Sequence, residues 1–199
     1  MANVDRANGF RPVKSLLGAP WTSLVRTYPA SDTGRPAGDA GTLYIGSVVK
    51  LDAGGNVIPA DTTDAVLGVV VATGTNNSVT ALNTDNNHRY FNPDNLSKRC
   101  LEPTEAGYVG VVPAEGCLFS VQSSGTDHVQ GSDCAFGVNT GNVTTGNSAV
   151  VVSTAGTPAA ADVVVVEHDT RPDNDASEAN ARYIVKFVRH VNSIGRTYS

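Results

Sequence analysis

The feature that most constrains this chain is a series of short Val-rich runs, each ended within a few residues by Gly, Asn, Asp or Pro. Three of them read "YIGSVVKL" from Tyr44, "DAVLGVVVAT" from Asp64 and "ADVVVVEHD" from Ala161. β-Branched side chains suit the pleated surface of a sheet, and Gly and Asn suit tight turns. Only 17% of the residues are charged, against a usual share of about 25%, which argues against long solvent-exposed helices. The pattern predicts an all-β protein.

The runs and turns alternate in a way that predicts hairpins. A strand over 44–51 is followed by the turn Asp52-Ala53-Gly54-Gly55-Asn56 and a short strand at Val57 and Ile58. Leu118, Ser120 and Gln122 alternate with apolar neighbours after a turn at 113–116. Further strands are expected over 64–73, 148–154, 161–169 and 183–188, with one possible helical turn at Ser177. Seven to nine short strands predict a small antiparallel barrel or sandwich with little helix.

Residues 1–36 differ from the rest of the chain. Prolines at 12, 20, 29 and 36 disfavour both a continuous helix and a central strand. The segment has five basic and two acidic residues, a net charge of +3, whereas the other 163 residues have nine basic and 17 acidic, a net charge of -8. These features predict a long extended N-terminal arm, 1–36, on a β-rich body, 37–199.

Two segments of the body lack strand periodicity. Residues 74–99 are rich in Asn and contain Tyr90 and Phe91, which predicts a long surface loop inserted in the body. Residues 169–180 contain several carboxylates and predict an acidic surface loop.

The sequence contains no pattern of known catalytic or cofactor-binding type. The nucleophile pattern G-x-S-x-G is absent, and the four histidines are far apart: His88, His128, His168 and His190. The glycines match neither a Walker-type nor a dinucleotide-binding loop. We therefore predict no catalytic residue and no cofactor, although distant segments could still assemble a cluster of His and carboxylates.

Metal binding is not predicted either. Cys100, Cys117 and Cys134 are widely spaced, with no CxxC or HxxxH pair, so three small buried thiols are expected. An EF-hand loop starting at Asp173 would need Gly at its sixth position and Glu at its twelfth, which here are Glu178 and Ile184. A solvated loop is favoured over a cation site of another kind.

Charge and hydropathy exclude other classes. The net charge of -5 disfavours a general nucleic-acid surface, and five basic residues spread over 36 positions make a poor groove for single strands. No uninterrupted apolar run is long enough to span a membrane, and the N-terminus lacks the pattern of a secretory signal. Synthesis and retention in a cytoplasm are expected.

An extended arm without its own core needs a surface to hold it, since ordering each backbone residue costs about 1–2 kcal/mol. Aromatic and Arg side chains supply binding energy at interfaces most effectively. The arm has both types, and its positive charge suits an acidic partner. The expected anchors are Arg6, Phe10, Arg11, Trp21, Arg26 and Tyr28.

Three stretches carry a family resemblance: "MANVDRANGFRPV" from Met1, "YIGSVVKLDAGGNVIPADTTDAVLGVV" from Tyr44 and "GYVGVVPAEGCLFSV" from Gly107. They resemble the head decoration, or cement, proteins of tailed bacteriophages. The resemblance implies a β-tulip-like barrel on the outer capsid surface, an N-terminal arm lying across the major capsid protein, and a homo-oligomer, either a dimer or a trimer. The resemblance covers residues 1–36, 41–72 and 107–122 best and does not extend to the Asn-rich and acidic loops.

The expected function is that of a structural virion protein that binds the outside of the phage head and stabilises the shell by bridging capsid subunits. The alternative is another virion binding module, in a tail or fibre, in which Tyr90 and Phe91 contact a carbohydrate. An enzyme is the least favoured interpretation.

Overall fold

A computed structural model describes residues 3–75, 100–125, 128–155 and 157–190. The strands in chain order are β1 Arg11–Ser15, β2 Arg26–Ala30, β3 Leu43–Tyr44, β4 Val48–Leu51, β5 Val57–Pro59, β6 Gly68–Thr75, β7 Cys100–Leu101, β8 Gly107–Pro113, β9 Cys117–Gln122, β10 Asp133–Phe136, β11 Gly141–Asn142, β12 Asn147–Ser148, β13 Val152–Thr154, β14 Val163–His168 and β15 Arg182–Phe187. Helical structure in these ranges consists of short 3-10 turns: Trp21–Leu24, Gly38–Gly41 and Pro158–Ala160.

The strands form two main antiparallel sheets. One has six strands in the order β1-β9-β15-β14-β10-β13, and the other has five in the order β2-β8-β6-β4-β5. Both sheets are open, so the described chain is a sandwich and not a closed barrel. The predicted all-β antiparallel class with little helix is confirmed, as is the turn at 52–56, which joins β4 to β5.

The main core lies between the two sheets. Val48, Val69 and Val112 of the five-stranded sheet pack in one cluster with Phe119 and Phe187 of the six-stranded sheet. Alternation explains this arrangement, because side chains two apart on a strand share a face. The sequence predicted the alternation in β9, but both faces of that strand are buried.

A second core covers the other face of the five-stranded sheet. Val49, Val70, Val109 and Val111 pack there with residues of the small sheet β3-β7, including Leu43 and Leu101. The adjacent valines of β4, β6 and β8 therefore enter different cores. This explains why the sequence of these strands is apolar at successive positions.

Some boundaries differ from the predictions. The strand expected over 44–51 is divided into β3 and β4, because Gly46 takes a φ of +94° and the N–H of Ser47 donates to the carbonyl of Tyr44. The helical turn expected at Ser177 is absent: 172–173 and 176–180 form turns and a bend, organised by the side chains of Asp175 and Asn174.

The N-terminal segment is extended, as predicted, but it belongs to the sandwich. β1 pairs with β9 and β2 pairs with β8, so the segment supplies one edge strand to each main sheet. The division into an arm and a separate body, and the expectation that the arm gains its order from another molecule, do not hold for these strands. The backbone groups of β1 and β2 are satisfied by pairing with β9 and β8. The prolines in the sequence gave no sign of this pairing.

Candidate functional site

Phe10 is placed where no partner can reach it. Its side chain is 0% exposed and lies at ring-centroid distances of 5.1 Å from Phe187, 6.3 Å from Phe136 and 6.5 Å from Phe119. The chain enters the core at Gly9, whose φ is +62° and whose hypothetical Cβ would lie 2.5 Å from the carbonyl oxygen of Gly46. The prediction that Phe10 anchors the protein to a capsid is therefore wrong. The ring is buried in the chain's own core and not at the surface of another molecule.

Arg6 and Arg11 lie over the outer face of the six-stranded sheet. The N–H of Arg6 donates to Gln122 Oε1 at 3.2 Å, and its carbonyl accepts a hydrogen bond from Arg182 at 2.7 Å. Arg11 is half-buried and donates to Asn147 Oδ1 at 2.8 Å; burial, and secondly the charge of Arg182, lower its pKa. The Arg11 guanidinium therefore has a partner within the chain.

The other predicted anchors are distributed over the turn and strand that follow. Trp21 is half-buried against the main core, and Tyr28 is half-buried against the second core. Arg26 is exposed. Of the six predicted anchors, Arg26 and Tyr28 line a groove on the surface.

The groove has a volume of about 540 Å³ and adjoins the second core. Its walls come from the connection between β1 and β2, from β2, from the end of β4, and from the turn between β8 and β9. The lining includes Leu17, Leu24, Arg26, Tyr28, Leu51, Glu115 and His190. The sequence analysis missed this groove, although the pair Leu16-Leu17 followed by Gly18 was a signal for exposed apolar residues in a turn.

The surface around β1 is apolar and basic. Val13, Lys14 and Leu16 are all exposed, and Lys14 pairs in register with Leu118 on the outward side of β9. Pro12 in β1 and Pro29 in β2 both lie on edge strands, where a missing N–H is tolerated and where proline hinders pairing with a further strand. This edge can therefore bind through its side chains more readily than by adding a strand.

A polar cluster inside the core includes a Ser–His pair. Ser123 Oγ lies 2.7 Å from His128 Nε2, and His128 Nδ1 lies 3.7 Å from the Sγ atom of Cys134. Burial lowers the pKa of His128 and raises the pKa of Cys134 to about 11, so the imidazole is neutral and the thiol protonated near pH 7. Ser123 and His128 are 0% and 3% exposed, so a substrate cannot reach the pair, and its hydrogen bond is part of the core.

His168, at the end of β14, lies beside this cluster. Its Nε2 atom lies 3.1 Å from the backbone oxygen of His128, and its ring stacks edge-on against Tyr183 at 5.2 Å. Asp169, the neighbour in sequence, points away and accepts a hydrogen bond from Ser120. The predicted separation of His168 and Asp169 onto opposite faces is confirmed.

The acidic loop is held by the N-terminal segment. The side-chain amide of Asn3 donates to the carbonyl of Asp175 at 2.7 Å and to that of Ala179 at 3.0 Å, and its oxygen accepts from the N–H of Asp175. Within the described ranges, no three His, Cys, Asp or Glu side chains are grouped so as to hold a metal ion.

The predicted buried thiols are confirmed: Cys100, Cys117 and Cys134 are all buried. Tyr90 and Phe91, and the loop around them from residue 76 onward, lie outside the described residues. Among the residues that are described, no helix has the length and apolarity needed to cross a membrane.

Comparison with known proteins gives no assignment. No protein-family model, curated protein or solved structure matches the chain significantly.

Proposed function

We propose that the protein is a non-catalytic structural component of a virion, which binds the outer surface of a tailed-phage head and bridges neighbouring major capsid protein subunits. The resemblance of the three sequence stretches to decoration proteins suggests the class. The structure supplies a surface suited to that role, in a different form from the arm that the sequence predicted.

The observation that carries the proposal is the position of the N-terminal strands. β1 and β2 are the outermost strands of the two main sheets, and they lie beside β9 and β8, which are joined by the turn at 114–116. The basic segment therefore forms one side of the sandwich. Val13, Lys14, Leu16 and Arg26 are exposed along that side.

A surface built on strands binds at a lower entropic cost than a disordered arm. Each residue of an arm would lose about 1–2 kcal/mol of backbone conformational entropy on docking, whereas β1 is already ordered by its pairing with β9. The proposed contact buries Val13 and Leu16 and places Lys14 against an acidic patch of the capsid. It is a preformed binding surface.

The test is co-sedimentation of the purified protein with capsids stripped of it. Lys14→Glu, combined with Val13→Asp, is expected to weaken binding at least tenfold, as is typical when an apolar contact and a complementary charge are lost together at an interface. Lys186→Glu is the matched control, because Lys186 is an exposed lysine on β15 in the middle of the same sheet.

Two results would contradict the proposal. One is unchanged binding by the Val13→Asp/Lys14→Glu protein. The other is electron microscopy of the source particle showing no density for this protein on the outside of the shell.

A further inference from the structure

Two arginines lie on the outer face of the six-stranded sheet, one on each side of β9. Arg11 of β1 pairs in register with Ser120, and Arg182 of β15 pairs with Gln122. Ser120 and Gln122 share the outer face of β9, because Val121 between them enters the main core. From the spacing of strands and residues, the Cα atoms of the two arginines are about 12 Å apart, a distance that two arginine side chains can close around a small ligand.

The two guanidiniums are half-buried, and their hydrogen-bond acceptors within the described chain are neutral. Arg11 donates to Asn147 Oδ1 at 2.8 Å, and Arg182 donates to the carbonyl of Arg6 at 2.7 Å. Each guanidinium has five N–H donors, so most of them are left for solvent or a ligand. Burial, and secondly the charge of Arg182, lower the pKa of Arg11, so the two cations repel each other.

A carboxylate lies nearby, but it already has partners. Asp169 Oδ2 accepts a hydrogen bond from Ser120 at 2.9 Å and lies 3.2 Å from Nε of Arg171. Burial, and then the charge of Arg171, lower the pKa of Arg182. The carboxylates of Asp169 and Asp173 raise that pKa, each by less than Arg171 lowers it. The largest single charge effect on Arg182 is therefore repulsive, and a bound anion would relieve it.

We propose that Arg11 and Arg182 together bind a phosphate group, either free phosphate or the phosphate monoester of a small molecule, on the outer face of the six-stranded sheet. The oxygens of a tetrahedral phosphate face in several directions, so guanidiniums on two sides can each donate two N–H groups to it. Its two negative charges match the two cations. A carboxylate is planar and carries one charge, which a single guanidinium satisfies.

The position of the site favours a small ligand over a long polyanion. The backbone N–H and carbonyl of Arg182 both bond to the side chain of Asn174 in the acidic loop. That loop also contains Asp173, Asp175 and Glu178. A nucleic acid or another extended polyanion bound at the arginines would be repelled by these carboxylates and by the net charge of -5.

The experiment is isothermal titration calorimetry of the full chain with inorganic phosphate and, separately, with phenyl phosphate, at an ionic strength held constant with sodium chloride. The wild-type protein is expected to bind one phosphate per chain with a dissociation constant of about 1 mM or below. Tighter binding of phenyl phosphate would identify a monoester as the ligand, and equal constants would identify the free ion. Either result supports the site.

Substitution of the arginines tests the geometry. Arg11→Gln and Arg182→Gln should each raise the dissociation constant by roughly tenfold or more, because each removes a charge and a bidentate donor. Arg11→Lys keeps the charge but loses the planar fork, so it should weaken binding by less than Arg11→Gln does. Circular dichroism and the urea midpoint of each variant check that the fold is retained.

The matched control is Lys186→Gln. Lys186 is exposed further along β15 and has the same outward orientation as Arg182, so this variant removes one positive charge from the same face without touching the site. Its dissociation constant for phosphate should equal that of the wild type.

Three results would overturn the proposal: no binding of either probe at concentrations up to about 10 mM, unchanged binding in both glutamine variants, or equal weakening by Lys186→Gln. The last result would show attraction to the charge of the whole face and not to a site. The proposal does not depend on capsid binding, which the Val13→Asp/Lys14→Glu protein tests separately.

Discussion

The ring of Phe10 lies 5.1 Å, centroid to centroid, from the ring of Phe187. This contact joins the tenth residue of the chain to β15, which lies inside the six-stranded sheet, and both side chains are fully buried. The N-terminal segment is therefore part of the folding unit, and its removal would expose the centre of the core.

The first prediction concerns this core contact. Phe10→Ala is expected to lower the free energy of unfolding by about 3–5 kcal/mol, the usual cost of removing a buried phenyl ring. Urea denaturation followed by fluorescence measures it. Lys14→Ala, on an exposed position of the adjacent strand, should change the free energy by less than about 0.5 kcal/mol.

Truncation extends the same argument. A chain lacking residues 1–36 loses Phe10 and both edge strands, so it should show no cooperative unfolding transition. A truncated chain that unfolds cooperatively, with near-native midpoint, would show that the segment is a dispensable arm after all.

The second prediction concerns Arg35, a buried side chain that sequence analysis did not single out. Its guanidinium donates hydrogen bonds to backbone oxygens of Ser31, Gly41, Leu101, Glu102 and Glu105. It therefore connects the end of the N-terminal segment to β7 and to the loop that follows β7. Burial lowers the pKa of Arg35 below its ordinary value, but the side chain stays charged because a guanidinium is not deprotonated at neutral pH.

Lysine cannot replace this contact set, because an ammonium has three donors and lacks the planar fork of a guanidinium. Arg35→Lys is expected to cost about 3 kcal/mol of stability, since some buried carbonyl groups lose their donors. Chemical denaturation measures it, and Arg26→Lys, at an exposed position, is the matched control. Equal midpoints for the two variants would refute a structural role for the guanidinium.

The third prediction is a pH dependence due to His128. Burial lowers the pKa of His128 in the folded state below its ordinary value of 6.5. The unfolded state therefore binds a proton at a higher pH than the folded state does. The resulting stabilisation is fully present above about pH 6.5, and it is lost as the pH falls from there towards the folded-state pKa.

His128→Gln removes this contribution while keeping a polar side chain near Ser123. Between pH 6.5 and 5, the free energy of unfolding should fall more steeply for the wild type than for the variant. The raised pKa of Asp162, due first to burial, acts in the opposite direction at acid pH, but it is common to both proteins and cancels in the difference. Parallel stability curves would contradict the assignment.

The fourth prediction concerns the thiols. Burial raises the pKa of Cys117 and of Cys134, and a thiol that is protonated and shielded from solvent reacts slowly. Ellman's reagent at pH 8 should label none of the three cysteines in the native protein and all three after unfolding. Rapid labelling of one thiol in the native state would show that its strand opens on the time scale of the assay.

Much of the strand content was predictable from local sequence. The turn at 52–56 depends on Asp52, which accepts N–H groups of Gly54 and Asn56 at 2.8 Å, and on Gly55 at a φ of +79°. These interactions connect residues four apart at most, so their sequence signals were sufficient. The burial of the three cysteines was equally predictable, because it follows from residue type and spacing.

The pairing of distant segments was decided only by the tertiary structure. Nothing local to Arg11–Ser15 specifies β9, more than a hundred residues later, as its partner, and nothing local to Leu17 and Glu115 places them in one groove. Hydrophobic burial is non-directional, so a sequence shows that Phe10 will be buried but not whether its own core or another molecule buries it. In this chain the pairing of β1 with β9 buries Phe10 in the protein's own core. The same strand order determines which side chains remain exposed on the surface.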